Sequence, residues 1–268
     1  MQGRLVNKVA DYIQAFPIND WELEITIAKK NNLKYIELTA DYFDYQHNPI
    51  FSSEKLLLLK SLLELNNIKP IACTADYFMH IPPWKLNNKN ELAKLMHKNI
   101  SSLANINSSI LVIPLVDNSS IKNKKELIFI IDFLLEFTET LDANNVQIAF
   151  ESDFNPLKLK EFIQNFPSNF GINYDIGNSA SLGYDPTDEI NSYGERIIHV
   201  HVKDRKYRGS TVRLGEGDAE FIKVVTLLSN INYKGSYTLQ TARSKKEEHV
   251  KEIIQNKVFF EKILEVYS

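Results

Sequence analysis

The chain has 268 residues, of which 44% are apolar and 24% charged; these ordinary values exclude a fibrous or disordered chain. With 31 basic and 34 acidic side chains the net charge is -3, which excludes any general attraction to nucleic acid or to an anionic membrane surface. The single cysteine, Cys73, excludes an internal disulfide and fits a reducing compartment, so the cytoplasm is the expected location.

The most apolar long stretch, residues 127–137, is broken by Asp132 and Glu136 and falls short of the roughly 20 apolar residues that span a bilayer. Met1 leads straight into Gln2, Gly3 and Arg4, with no basic segment and apolar core of the secretory kind.

In chain order, residues 1–5 read as the last half of a strand. A helix is predicted over 20–31, with Asn19 and Glu22 as a capping box, then a strand over 34–39 and a helix over 53–65. The strand over 68–74 leads into Asp76-Tyr77-Phe78-Met79-His80, an aromatic and polar mixture suited to a mobile lid over a ligand, with His80 as a contact. Helix 89–105, strand 110–115, helix 124–144, strand 146–151 and helix 156–165 follow. The remaining elements are strand 170–175, helix 186–193, strand 196–202, helix 219–228, strand 236–240 and helix 245–266. Asn155 and Asp185 are placed to cap helices that begin with Pro156 and Pro186.

Strands and helices therefore alternate, and no linker, composition break or repeat divides them. The pattern predicts one α/β domain over 1–268, a (β/α)8 TIM barrel with a shortened first strand. An open doubly wound sheet would carry a Gly-rich phosphate turn after its first strand, and neither GxGxxG nor a Walker loop is present.

In such a barrel, chemistry gathers where the strands end. The strand ends supply Glu37, Glu151, Asp175, His201 and Gln240. A carboxylate that closes an apolar run such as Val146 to Phe150 needs a cation or hydrogen bonds. Each group taken alone is equally a satisfied polar residue at a strand terminus. Along Ile197-Ile198-His199-Val200-His201-Val202 both histidines fall on one face. Only His201 stands near the loop end, which leaves His199 as a deeper histidine that orients its neighbours. Two carboxylates and an imidazole suit a divalent ion such as Mn²⁺, Mg²⁺, Co²⁺ or Zn²⁺.

The motifs Glu151-Ser-Asp, Asp175-Ile-Gly-Asn178, His199-Val-His201-Val-Lys203-Asp204 and Leu214-Gly215-Glu216-Gly217 resemble, in this order, the sugar phosphate isomerase/epimerase family of xylose-isomerase-like barrels. The resemblance spans nearly the whole chain. It implies metal ligation by Glu151, Asp175 and His201, with the fourth ligand falling on Gln240, where the family carries a glutamate. An amide oxygen can still coordinate a hard cation, but it carries no charge and takes no proton.

The expected activity is metal-dependent isomerisation or epimerisation of a small sugar or sugar phosphate, by proton transfer next to a carbonyl through an enediolate. Glu151 and Lys203 are the catalytic candidates. Arg4, Glu37, Asn178, Arg205, Glu216, Arg243 and His80 are the substrate-binding ones, the arginines because their forks match phosphate and carboxylate. Gln240 in place of a second base opens an alternative, a noncatalytic sugar- and metal-binding barrel. A metal-dependent nuclease of endonuclease IV type is weaker, since such enzymes gather many histidines and this chain has 6. Nucleic acid and membrane are not expected partners, and a homo-oligomer is compatible with the sequence.

Overall fold

A computed structural model describes residues 4–9, 15–85, 89–244 and 246–268. Seven parallel strands form one sheet in the order β1 (Tyr35–Thr39), β2 (Lys69–Thr74), β3 (Ile110–Leu115), β4 (Gln147–Ser152), β5 (Phe170–Asp175), β6 (Ile197–Val202) and β9 (Ser236–Leu239). A two-stranded hairpin, β7 (Asp204–Arg205) with β8 (Thr211–Val212), lies between β6 and β9 in the chain. The sheet curls round on itself. Glu37 of β1 reaches His199 and His201 of β6 across the interior at 2.8 and 2.9 Å.

Each barrel strand is followed by helical structure: α1 (Trp21–Lys30) precedes β1, and α2 (Ser53–Asn66), α3 (Tyr77–His80) and α4 (Lys89–Asn105) follow in turn. Next come α5 (Lys124–Leu135), α6 (Thr138–Asn144), α7 (Pro156–Ile163), α8 (Ile176–Leu182), α9 (Pro186–Tyr193), α10 (Phe221–Asn230) and α11 (His249–Tyr267). No helix among the described residues is long and apolar enough to cross a membrane.

Period-two alternation sorts the strands into two environments. Outward residues such as Cys73, Leu111, Phe150, Val200 and Val202 join the helices in the large core. Inward residues form a small apolar floor of Ala72, Ile110, Val112 and Ala149, with polar side chains above it.

The seven strands predicted from residue 34 onward all form, within a residue or two of the observed ends. Asn155 and Asp185 cap α7 and α9 as expected, accepting from Lys158 N and Thr187 N. Asn19 and Glu22 form no capping box, because Asp20 is the N-cap and makes no side-chain bond. The helix expected over 124–144 breaks in two, and Phe137 at the break packs its ring against Phe133 and His97. The last helix starts at His249; residue 245, where it was expected to begin, lies outside the described residues, and Ser244 Oγ accepts from Lys246 N and Glu248 N just before the helix.

The lid expected at 76–80 is instead the short helix α3, whose Tyr77 and Phe78 are fully buried. Their rings are core packing, since aromatic area is worth most when removed from water. Helix α8 was not predicted; Asp175 caps it through Asn178 N.

Of the expected first strand, residues 1–3 lie outside the described residues, and Arg4 and Leu5 belong to no strand. Side chains tie this segment to the far edge of the sheet. Arg4 Nε donates to Thr241 O at 2.6 Å and Arg243 donates to Val6 O at 2.8 Å, while Leu5 N donates to Glu24 Oε1 of α1 at 2.8 Å.

Candidate metal centre

Parallel pairing sets the level of every interior side chain. Asp175 pairs with His201, His201 with Thr238, and Val202 with Leu239. Continued by one residue, this register sets Lys203 and Gln240 side by side one step above, on the same inward face. Gln240 N donates to Val202 O at 3.0 Å.

His201 is the hinge of the arrangement. Its Nδ1 lies 3.1 Å from Glu151 Oε2 and 3.8 Å from Asp175 Oδ2, while its Nε2 lies 2.9 Å from Glu37 Oε1. One donor atom from each of Glu151, Asp175 and His201 lies within 4.8 Å of the other two, and all three residues are buried. Two carboxylates and an imidazole converging in a low-dielectric pocket are a donor set that fits a divalent cation.

Helix α8 supplies the next layer. Asn178 Nδ2 donates to Glu151 Oε1 at 2.7 Å, and its backbone N–H donates to Asp175 Oδ1 at 2.8 Å. Arg205 donates to Asn178 Oδ1 at 2.9 Å, and because guanidinium only donates, this settles which end of the amide faces Glu151. Lys203 Nζ donates to Asp175 Oδ2 at 2.7 Å. Gly177 has no side chain because a Cβ there would meet the backbone and Cβ of Lys203 at 2.9 Å. That close approach brings α8 against the end of β6.

Buried Asp204, next to Lys203, orders the loop beyond. Its carboxylate accepts from Gly215 N, Gly217 N and Ala219 N at 2.8, 2.8 and 3.1 Å. A Cβ at Gly217 would overlap that carboxylate.

Burial works against the charged forms of Glu37, Glu151, Asp175, His199 and His201. Glu37 is still held well below the usual carboxylate range, because His201 and His199 face it. Burial also pushes Glu151 up, yet its hydrogen bond to His201 and the Lys203 charge leave it below its ordinary value. Asp175 is raised by burial and by Glu151 despite Lys203. Burial alone would discharge His201, but Glu37 and Glu151 push its pKa up to about 10. His199 is lowered by burial.

The other substrate candidates separate. Asn178 and Arg205 border the cluster. Glu37 lies beneath it, with Thr74 Oγ1 also donating to Oε1 at 2.6 Å. Arg4 is 2% exposed; burial and Arg243 lower its pKa to about 10, against Asp76, Glu24 and Glu37. Glu216 is exposed on the loop that Asp204 holds. His80 is exposed at the end of α3, its ring 4.8 Å from that of Phe43. Arg213 is exposed and pairs with Glu252 on α11 at 3.0 Å.

Asn173 went unread in the sequence. It donates to Glu151 Oε2 at 3.1 Å and lies 2.9 Å from His201 Nδ1. The signal was available: Asn173 stands two residues before Asp175 on the same face of β5.

A family model described as xylose isomerase-like TIM barrel matches residues 25–262. A Haemophilus influenzae protein named putative L-ribulose-5-phosphate 3-epimerase SgbU is 25% identical over 93% of each chain. An uncharacterized protein of Methanocaldococcus jannaschii is 28% identical over 50% of this chain, and the match spans 48% of that relative's length. A xylose isomerase-like TIM barrel protein from Mycobacterium smegmatis, solved in complex with magnesium, shares the fold at a TM-score of 0.74 and 12% identity, covering 97% of this chain and 93% of that one. The chain belongs to the xylose isomerase-like TIM barrel family.

Proposed function

We propose that the protein is a metal-dependent isomerase or epimerase of a small sugar or sugar phosphate, moving a proton next to a carbonyl through an enediolate. The observation that carries this reading is the convergence of Glu151, Asp175 and His201 at the ends of β4, β5 and β6. The sugar class is supported by the name of the Haemophilus influenzae relative.

Glu151, Asp175 and His201 would hold Mn²⁺, Mg²⁺, Co²⁺ or Zn²⁺, with the Gln240 amide oxygen as fourth donor. Such an ion polarises a carbonyl and hydroxyl pair and stabilises the charge that develops on oxygen. Glu151 is the base: Asn178 fixes Oε1, so the carboxylate meets the substrate carbon in one orientation. Lys203, paired with Asp175, sets a positive charge beside the developing oxyanion. Asn178 and Arg205 are the favoured substrate contacts. Glu37, Arg4 and Arg243 hold the protein itself.

The test is a panel of ketopentoses and ketohexoses with and without a terminal phosphate. Chelation is expected to abolish turnover, and Glu151→Gln to lower kcat by about 10³-fold while metal remains bound. Turnover that survives this substitution with metal in place removes Glu151 as the base.

Gln240 favours a second reading, a barrel that binds sugar and metal without turnover, since an amide cannot accept the proton a second carboxylate would. Gln240→Glu separates the two. A gain of turnover supports decayed catalysis, and a loss supports a site built around glutamine.

A further inference from the structure

Beneath the candidate metal site lies a set of buried polar groups for which the proposed reaction has no direct use. Glu37, His199 and His201 form a second trio whose donor atoms lie within 4.8 Å of one another, and the two histidine side chains and Glu37 are fully buried. Burying such groups is costly unless each finds a partner, so their pairing is informative.

An ionised carboxylate only accepts hydrogen bonds. Glu37 Oε2 meets His199 Nε2 at 2.8 Å, and Oε1 meets His201 Nε2 at 2.9 Å and Thr74 Oγ1 at 2.6 Å. Each of these three groups must therefore supply the proton. With Nε2 of His199 protonated, its Nδ1 can accept from Ser236 Oγ at 2.7 Å. Donation then runs from Ser236 to His199 to Glu37, where it meets the donation from His201. On His201 the Nε2 is committed downward, and Nδ1 faces Glu151 and Asp175, with the Asn173 amide 2.9 Å away on the same side.

We propose that Glu37 and His199 are positioning residues that hold the His201 ring so that Nδ1 alone is offered to a divalent cation between Glu151 and Asp175. This rests on the metal site proposed above. The carboxylate behind a metal-binding histidine sets its tautomer and raises its basicity, and here a second histidine fixes that carboxylate in turn. His199 and His201 alternate on one strand, so a single element carries both the ligand and the support of its support. The rings stand at 81°, with centroids 5.3 Å apart. The competing role for the lower trio is to bind metal itself, with both Nε2 atoms stripped of protons. The donor chain from Ser236 and the single carboxylate in that closed space favour hydrogen bonding, whereas the upper trio offers two carboxylates.

The experiment titrates Zn²⁺ and Co²⁺ into the full chain by calorimetry, with circular dichroism to confirm folding. Glu37→Gln and His199→Leu are expected to weaken binding by about 10-fold to 100-fold. His199→Gln, whose amide can still donate to Glu37, is expected to recover most of the loss, which a mere packing role would not predict. Nitrogen-15 spectra of the zinc-loaded wild type are expected to show His201 metal-bound at Nδ1 and protonated at Nε2, a readout independent of whether any variant folds. Wild-type affinity retained in folded Glu37→Gln and His199→Leu overturns the positioning role and leaves the metal site standing. Zinc found on Nε2 of His199 or His201 overturns it in favour of the lower trio. Absence of saturable binding by the wild type overturns both readings.

Discussion

The lower and upper tiers of the barrel interior satisfy their polar groups in different ways. In the lower tier the partners are side chains on strands: Glu37 of β1, Thr74 of β2, His199 and His201 of β6 and Ser236 of β9. In the upper tier the partners of Glu151 and Asp175 come partly from beyond the strands, with Asn178 on α8 and Lys203 after β6, and Arg205 on the hairpin holds the Asn178 amide in turn. Orientation is thus stored in the sheet, and exchangeable contacts sit where the βα loops gather. A precise site needs a rigid support behind its reactive groups.

Removing the residue shared by both tiers should have the largest effect. His201→Ala is expected to abolish metal binding in calorimetry and, by leaving Glu37 buried without that partner, to destabilise the fold by about 3 kcal/mol or more in urea denaturation. A variant as stable as the wild type would mean that the tiers are not coupled through this ring.

A smaller effect is expected from the upper tier alone. Asn178→Ala removes one hydrogen bond to Glu151 and should lower kcat by about tenfold with unchanged stability. If stability falls instead, α8 is part of the support.

The smallest effect tests a carboxylate outside both tiers. Burial raises the Asp41 pKa to about 6 from an ordinary 3.8, although its Oδ2 accepts from Phe16 N at 2.6 Å. Because the folded value is the higher one, the favourable contribution is complete below the unfolded pKa and is lost as pH rises through about 6. Asp41→Asn keeps an acceptor for Phe16 and should therefore be more stable than wild type above a pH of about 6, by about 1 kcal/mol after allowance for partial exposure. The gap in melting temperature should close towards acid pH. A constant gap across pH removes Asp41 as its source.

Local pattern was enough to read much of this. The strands β1 to β6 and β9 follow from short apolar runs, and Glu151, Asp175 and His201 follow from polar residues closing those runs. Helix α8 escaped because its seven residues, Ile176–Leu182, are too few to show a helical period. Tyr77 and Phe78 were misread as a lid because aromatic residues in a loop look alike whether they face solvent or core; only packing against Phe51 and each other tells them apart.

By itself the sequence determined which residues point into the barrel and in what order they stand, since a period of two needs only neighbours in the chain. Tertiary structure alone decided what those residues meet. Glu37 and His201 are 164 positions apart, and Arg4 and Thr241 are 237 apart. No local pattern carries the fact that one pair sets a carboxylate behind a histidine and the other ties the first segment to the residues after the last strand. Both depend on how far the sheet curls before its edges meet, and that is set by the packing of the whole barrel.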